Sequence, residues 1–192
     1  FSVFFVLLNL YFSESAKNNS NERENSIKAF EYINDAYNIA PKNPKVLKWY
    51  VIALGKTVEH KRIRTQIEES KNIEKIALAV IKELPDDAYC YNILGQWHYR
   101  LADLSGPSRR IASLLFSDPP EGSFEKAKFF LEQSIKINPE YIGTYYWLGK
   151  TYIKLSDTKK ANELFRQGIV LERPFKREEE IFKKMNKLLK NN

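Results

Sequence analysis

A leucine-glycine pair recurs at a fixed distance behind a helix-ending proline, and this recurrence constrains the chain more than any other feature. Leu94-Gly95 places its glycine ten residues after Pro85, and Leu148-Gly149 places its glycine ten residues after Pro139. After Gly149 come Tyr152, Ala161 and Phe165 at offsets of 3, 12 and 16, while Ala127 and Leu131 stand 12 and 8 residues before Pro139. Small residues at these places let neighbouring helices approach closely. The prolines end each second helix, because proline lacks an amide hydrogen and its ring clashes with the preceding turn. Small, large and punctuating residues in this order mark a helix-turn-helix unit of roughly 34 residues. One such unit cannot bury its own apolar face, so the units must stack.

This is the tetratricopeptide pattern. It predicts an all-α, tetratricopeptide-like helical-repeat solenoid of about four helix pairs, with an inserted short helix and a C-terminal capping helix. The apolar fraction of 43%, with 14% aromatic residues, is enough for a continuous core. The whole of 1–192 reads as a single superhelical domain. Its repeats fall at about 1–41, 45–85, 87–139 (with an insertion at 105–123) and 141–173, with the cap at 175–190.

The start, Phe1 to Phe12, has about 12 apolar residues, too few for a bilayer span. It lacks a basic leader and a small-residue cleavage site, and reads as helix A of the first repeat. The chain begins without Met, and so reads as a piece of a longer protein. Lys17 to Asn25 reads as a polar loop. Helix B then starts at Ser26, with Ile27, Phe30, Ile33, Ala36 and Tyr37 as its apolar stripe. Pro44 should open the next helix, followed by a helix from about Gln66 to Glu83. Asp86-Asp87 should cap the third pair. The 54 residues between Gly95 and Gly149 exceed one unit by about twenty. The insertion reads as a short helix with Pro107 in its first turn, an apolar face of Ile111, Leu114 and Leu115, and a stop at Asp118-Pro119-Pro120. Ser123 should cap the next helix. Finally Ile181, Phe182, Met185, Leu188 and Leu189 form one stripe, as a helix covering the last pair requires.

The chemistry-bearing residues do not form a catalytic constellation. The two histidines, His60 and His98, are 38 residues apart, and the single Cys90 has no partner for a metal or disulfide. A lone cysteine fits a reducing compartment, and Cys90 reads as a packing thiol. No phosphate loop, dinucleotide fingerprint or nucleophile elbow is present. His98 occupies a place where the repeat packs an aromatic ring. The chain is therefore expected to be non-enzymatic, with neither cofactor nor metal.

Net charge is +7, from 31 Lys+Arg against 24 Asp+Glu. That favours acidic partners, namely acidic protein surfaces or anionic phospholipid. Nucleic acid is not expected. In a stacked array, helix A presents one row of residues to the concave side. With each glycine counted as position 8, positions 5, 9, 12 and 13 give Ile52, Lys56, Glu59 and His60 in the second repeat. They give Asn92, Gln96, Tyr99 and Arg100 in the third, and Tyr146, Lys150, Ile153 and Lys154 in the fourth. The expected partner-binding groove is Lys56, Asn92, Gln96, Tyr99, Arg100, Tyr146, Lys150 and Lys154. Cations there offer donors to carboxylate or phosphate, and the rings offer contact area. The insertion adds Arg109 and Arg110, which face a partner, cap carbonyls, or pair with Asp118 and Glu121. A phospholipid in the groove is the alternative to an acidic protein.

Within the repeat class, one family is closer. Lys48-Trp49-Tyr50 before Leu54-Gly55 resembles one of its signatures. Leu94-Gly-Gln-Trp-His-Tyr99, Leu104-Ser105, Arg110-Ile-Ala112, Leu115-Phe116 and Pro119-Pro120, followed by Glu125-Lys-Ala127, resemble its longest one. The string looks like the regulator of microtubule dynamics family, with an atypical tetratricopeptide array. Gly106-Pro107 stands where an aromatic residue often follows the Leu-Ser pair. The resemblance implies a cytoplasmic, microtubule-associated protein that meets acidic tubulin surfaces. It also implies that some members are membrane-anchored through an N-terminal segment, with links to mitochondrial or ER contacts and phospholipid binding.

Overall fold

The computed structural model describes residues 19–117, 119–173 and 176–191. Among them are nine helices: α1 (Asn19–Ile39), α2 (Pro44–Glu59), α3 (Ile63–Glu83), α4 (Ala88–Ala102), α5 (Gly106–Leu115), α6 (Phe124–Ile137), α7 (Ile142–Lys154), α8 (Thr158–Gly168) and α9 (Lys176–Asn191). The expected all-α fold is borne out. Short polar residues start several of the helices, Asp87 and Ser123 among them as expected. Asn43 accepts from the Lys45 and Val46 amides ahead of Pro44. Asp87, Ser123 and Asp157 accept from the amides of Cys90, Lys126 and Lys160. Each occupies a donor that the first helical turn leaves unpaired.

The described helices fall into two compact units. The first draws on Phe1–Pro85 and Leu104–Pro120, and holds α1, α2, α3 and α5. Here α1 packs on α2 through fully buried Ala29, Ile33 and Ala53, with Phe30, Trp49 and Tyr50 around them. Tyr37 stacks on Tyr50 at 4.4 Å. The insertion helix α5 lies against α3, burying Ala112, and Lys71 of α3 sits 4.7 Å over the Phe116 ring.

Three expectations need correction in this unit. Residues 19–25 are helical, not loop. Asn21, Arg23 and Glu24 are exposed on α1, and Glu24 pairs with Lys28 at 2.7 Å one turn on. α5 ends at Leu115, with Phe116 as its C-terminal cap, ahead of the prolines. Leu114 is not on its apolar face; it is 87% exposed, and Ala112 is the buried residue. The expected first helix of the first repeat, and Asp118, lie outside the described residues.

The second unit, Asp86–Asp103 with Glu121–Asn192, holds α4 and α6 to α9. Its core joins Leu131, Ile142, Leu148, Ala161, Leu164 and Phe165 to Ile181 and Met185 of α9. The two glycines act as their spacing requires. A β-carbon on Gly95 would meet the Leu131 side chain, and one on Gly149 would meet the ring of Phe165. Ala127 and Ala161 are fully buried. α9 packs on α7 and α8 through the expected stripe. Among the described residues no helix is long and apolar enough to cross a membrane. Cys90 is fully buried and is not in a disulfide.

His98 is also a packing residue. It is 4% exposed, lies parallel to the Phe130 ring at 5.4 Å, and meets Trp97 edge-on. Burial, with a smaller contribution from Lys126, holds its imidazole down at about 4. An unfolded histidine titrates near 6.5. Above that pH the side chain is neutral in both states. As pH falls from about 6.5 to 4, the unfolded chain takes up a proton that the folded chain refuses, so stability is lost on the acid side. The expected loss is about 3 kcal/mol. Denaturant titrations of wild type and His98→Phe at pH 7 and pH 4.5 check it. The variant keeps a ring against Phe130 and should lose less stability across that interval; equal losses would contradict the assignment.

Candidate functional site

The second unit brings most of the expected groove residues together on α4 and α7, in two layers. The lower layer is a buried polar network. Asn92 Nδ2 donates to Thr144 Oγ1 at 2.9 Å, and Gln96 Nε2 donates to Asn92 Oδ1 at 2.5 Å. The Ser134 hydroxyl donates to the Ala88 carbonyl at 2.9 Å and lies 3.2 Å from Thr144 Oγ1. Asn92, Ser134 and Thr144 are at most 2% exposed. Satisfied in this way, they fasten α4 to α6 and α7. Asn92 therefore holds the site's floor, with half-buried Gln96 above it.

The upper layer is aromatic and cationic. Tyr99 is 3% exposed and meets Phe124 and Trp147 edge-on at 5.5 and 5.3 Å. Tyr146 and Trp147 meet at 5.5 Å. Half-buried Lys150 lays its ammonium over three rings, 4.6 Å from Tyr99, 4.8 Å from Trp147 and 5.6 Å from Tyr146. The spacing within α7 makes this local: Tyr146 and Trp147 precede Lys150 by four and three residues, one turn back on the same side. The Arg100 guanidinium lies 5.2 Å from the centre of the Trp147 ring. Lys154, a further turn along α7, pairs with Asp103 at 2.6 Å.

The charges around Lys150 are unequal. Asp103 is the carboxylate acting on it, against Arg100, Lys154 and, from α9, Lys184. Burial first, then these cations, hold its ammonium below the usual lysine range, and Asp103 opposes them. Burial pushes the Tyr99 hydroxyl up, with Asp103 adding to the effect. It raises Tyr146 as well, against Arg100. A surface with this excess of positive charge, braced by rings, is complementary to carboxylates.

The remaining expected residues lie elsewhere. Lys56 is half-buried in the last turn of α2, in the first unit. Arg109 and Arg110 are exposed on α5, and Arg109 Nε donates to the Leu104 carbonyl at 3.1 Å, the carbonyl-capping role. Trp147, Asp103 and Lys184 are additions to the expected set. Trp147 carries a local signal, since Tyr146-Trp147 stands one turn before Lys150. Asp103 and Lys184 come from other helices, and no spacing announces them. Among the described residues, no group of three or more His, Cys, Asp or Glu is placed to hold a metal ion.

Known proteins resemble this chain in sequence and fold. The family described as "Regulator of microtubule dynamics protein 1-3" matches residues 6–192. Regulator of microtubule dynamics protein 1 of Homo sapiens is 30% identical over 146 residues, which are 74% of this chain and 46% of that protein. Human regulator of microtubule dynamics protein 2 is 24% identical over 155 residues, 80% of this chain and 38% of that one. The chain thus spans less than half the length of these curated relatives. In fold it is similar to the crystal structure of a thermophilic TPR protein of Thermus thermophilus. The TM-score there is 0.60 at 15% identity, covering 96% of this chain and 81% of the other.

Proposed function

Since the chain belongs to the regulator of microtubule dynamics family, we propose that its tetratricopeptide-like array docks an acidic partner on the α4–α7 face, with the microtubule surface as the first candidate. Family and fold support a protein-interaction module. The observation that carries the finer reading is the cation excess around Lys150: Arg100, Lys150 and Lys154 against the carboxylate of Asp103, backed by Tyr99, Tyr146 and Trp147. Arg100 and Lys154 are exposed and would meet carboxylates directly. Lys150, held against the rings, would supply charge from beneath, and Tyr146 and Trp147 would shape the contact. Association of this kind is steered by charge and weakened by salt, which screens exposed charges beyond about 8–10 Å at physiological ionic strength.

The matching experiment compares intact microtubules with microtubules whose acidic tails have been trimmed by limited subtilisin digestion. The purified domain should pellet with the intact polymer and lose most of that binding on the trimmed one. Equal pelleting on both would remove the acidic tails as the partner.

A further inference from the structure

The cation cluster already holds a carboxylate. Asp103 closes α4 with its backbone, donating its amide to the Tyr99 carbonyl at 3.0 Å, so its side chain is not needed to end the helix. That side chain instead crosses to α7 and takes the Lys154 ammonium at 2.6 Å, within the field of Lys150 and next to Tyr99. Both partners are well exposed, 41% for Lys154 and 38% for Asp103. An ion pair this open to water is weak on its own, and the carboxylate also accepts from the Tyr99 hydroxyl.

We propose that Asp103 is an internal stand-in for the partner's carboxylate: it occupies an anion subsite centred on Lys154 and within the field of Lys150, and a glutamate or aspartate side chain of an acidic peptide takes its place on binding. This rests on the acidic-partner docking proposed above and names the chemistry of one contact within it. The class is a carboxylate because one already sits on the subsite's lysine at hydrogen-bonding distance. The internal carboxylate sets a threshold that a single weak acid does not cross, and a run of acids does.

The test is a titration with fluorescently labelled poly-L-glutamate, read by anisotropy at two salt concentrations. Asp103→Asn should bind about threefold to tenfold more tightly than wild type, the range expected when a weak exposed competitor is removed. Its affinity should also fall more steeply with salt. Glu140→Gln makes the same change in net charge at a carboxylate that is not among the groups acting on Lys150, and should leave affinity unchanged. The backbone at Asp103, φ −91° and ψ 8°, suits asparagine; Asp103→Ser is the second variant should the first fold poorly. If wild type binds and Asp103→Asn binds no better, or Glu140→Gln gains as much, the stand-in role is overturned while docking survives. If neither wild type nor Asp103→Asn binds poly-L-glutamate, both fall.

Discussion

Phe165→Ala should destabilise the second unit by about 3–5 kcal/mol, the range for deleting a buried aromatic ring. The size follows from where the ring lies. Phe165 is fully buried, in the same cluster as Leu131, Leu148 and Met185, and its edge rests where Gly149 has no side chain. The glycine offers nothing that can swing into the space, so the cavity persists and its cost is added to the lost transfer energy. The reverse change, Gly149→Ala, forces a methyl group against that ring and should cost about 1–3 kcal/mol by overpacking. Chemical denaturation checks both, with an unchanged slope showing that stability rather than the extent of unfolding has moved. A loss below about 1 kcal/mol for Phe165→Ala would mean that the glycine-to-ring contact does not fasten α7 to α8.

The largest functional effect is expected from Arg100→Glu/Lys154→Glu. Both side chains are exposed, so reversal does not bury a charge, and Lys150 keeps its aromatic cradle. An exposed ion pair contributes at most about 1 kcal/mol, and reversing a charge replaces that attraction with repulsion of similar size. Two reversals on one face should therefore weaken binding to an acidic surface by about thirtyfold or more. Thermal unfolding of the double variant should stay close to wild type, since the ion pair of Lys154 with Asp103 that it removes is exposed and weak.

The contrast between Phe165 and Asp103 shows which contacts a sequence can announce. Phe165 lies sixteen residues after Gly149, a spacing fixed by repeat geometry, and the pairing of small residue with ring is legible without coordinates. The same holds for Tyr146 and Lys150, which one helix turn brings together, and for the stripe that seats α9. Asp103 meets Lys154 across fifty-one positions of chain. It does so because α4 and α7 share a floor of buried polar groups, and Asn92 and Thr144 look like ordinary surface residues until they are seen paired. Residues 19–25 read as loop for a related reason. A solvated helix face and a loop draw on the same polar residues, and the buried Ser26, Ala29 and Ile33 that continue the stripe begin just beyond that segment. In α5, ten residues are too few for periodicity to separate exposed Leu114 from buried Ala112.

The most direct measurement is co-sedimentation of the domain with microtubules at low and at physiological salt, wild type beside Arg100→Glu/Lys154→Glu. Electrostatic docking on the α4–α7 face predicts pelleting of wild type at low salt, a marked decrease at physiological salt, and near-complete loss in the double variant at both. Equal pelleting of a folded double variant would place the contact elsewhere on the molecule. Failure of wild type to pellet at low salt would contradict microtubule docking by this domain.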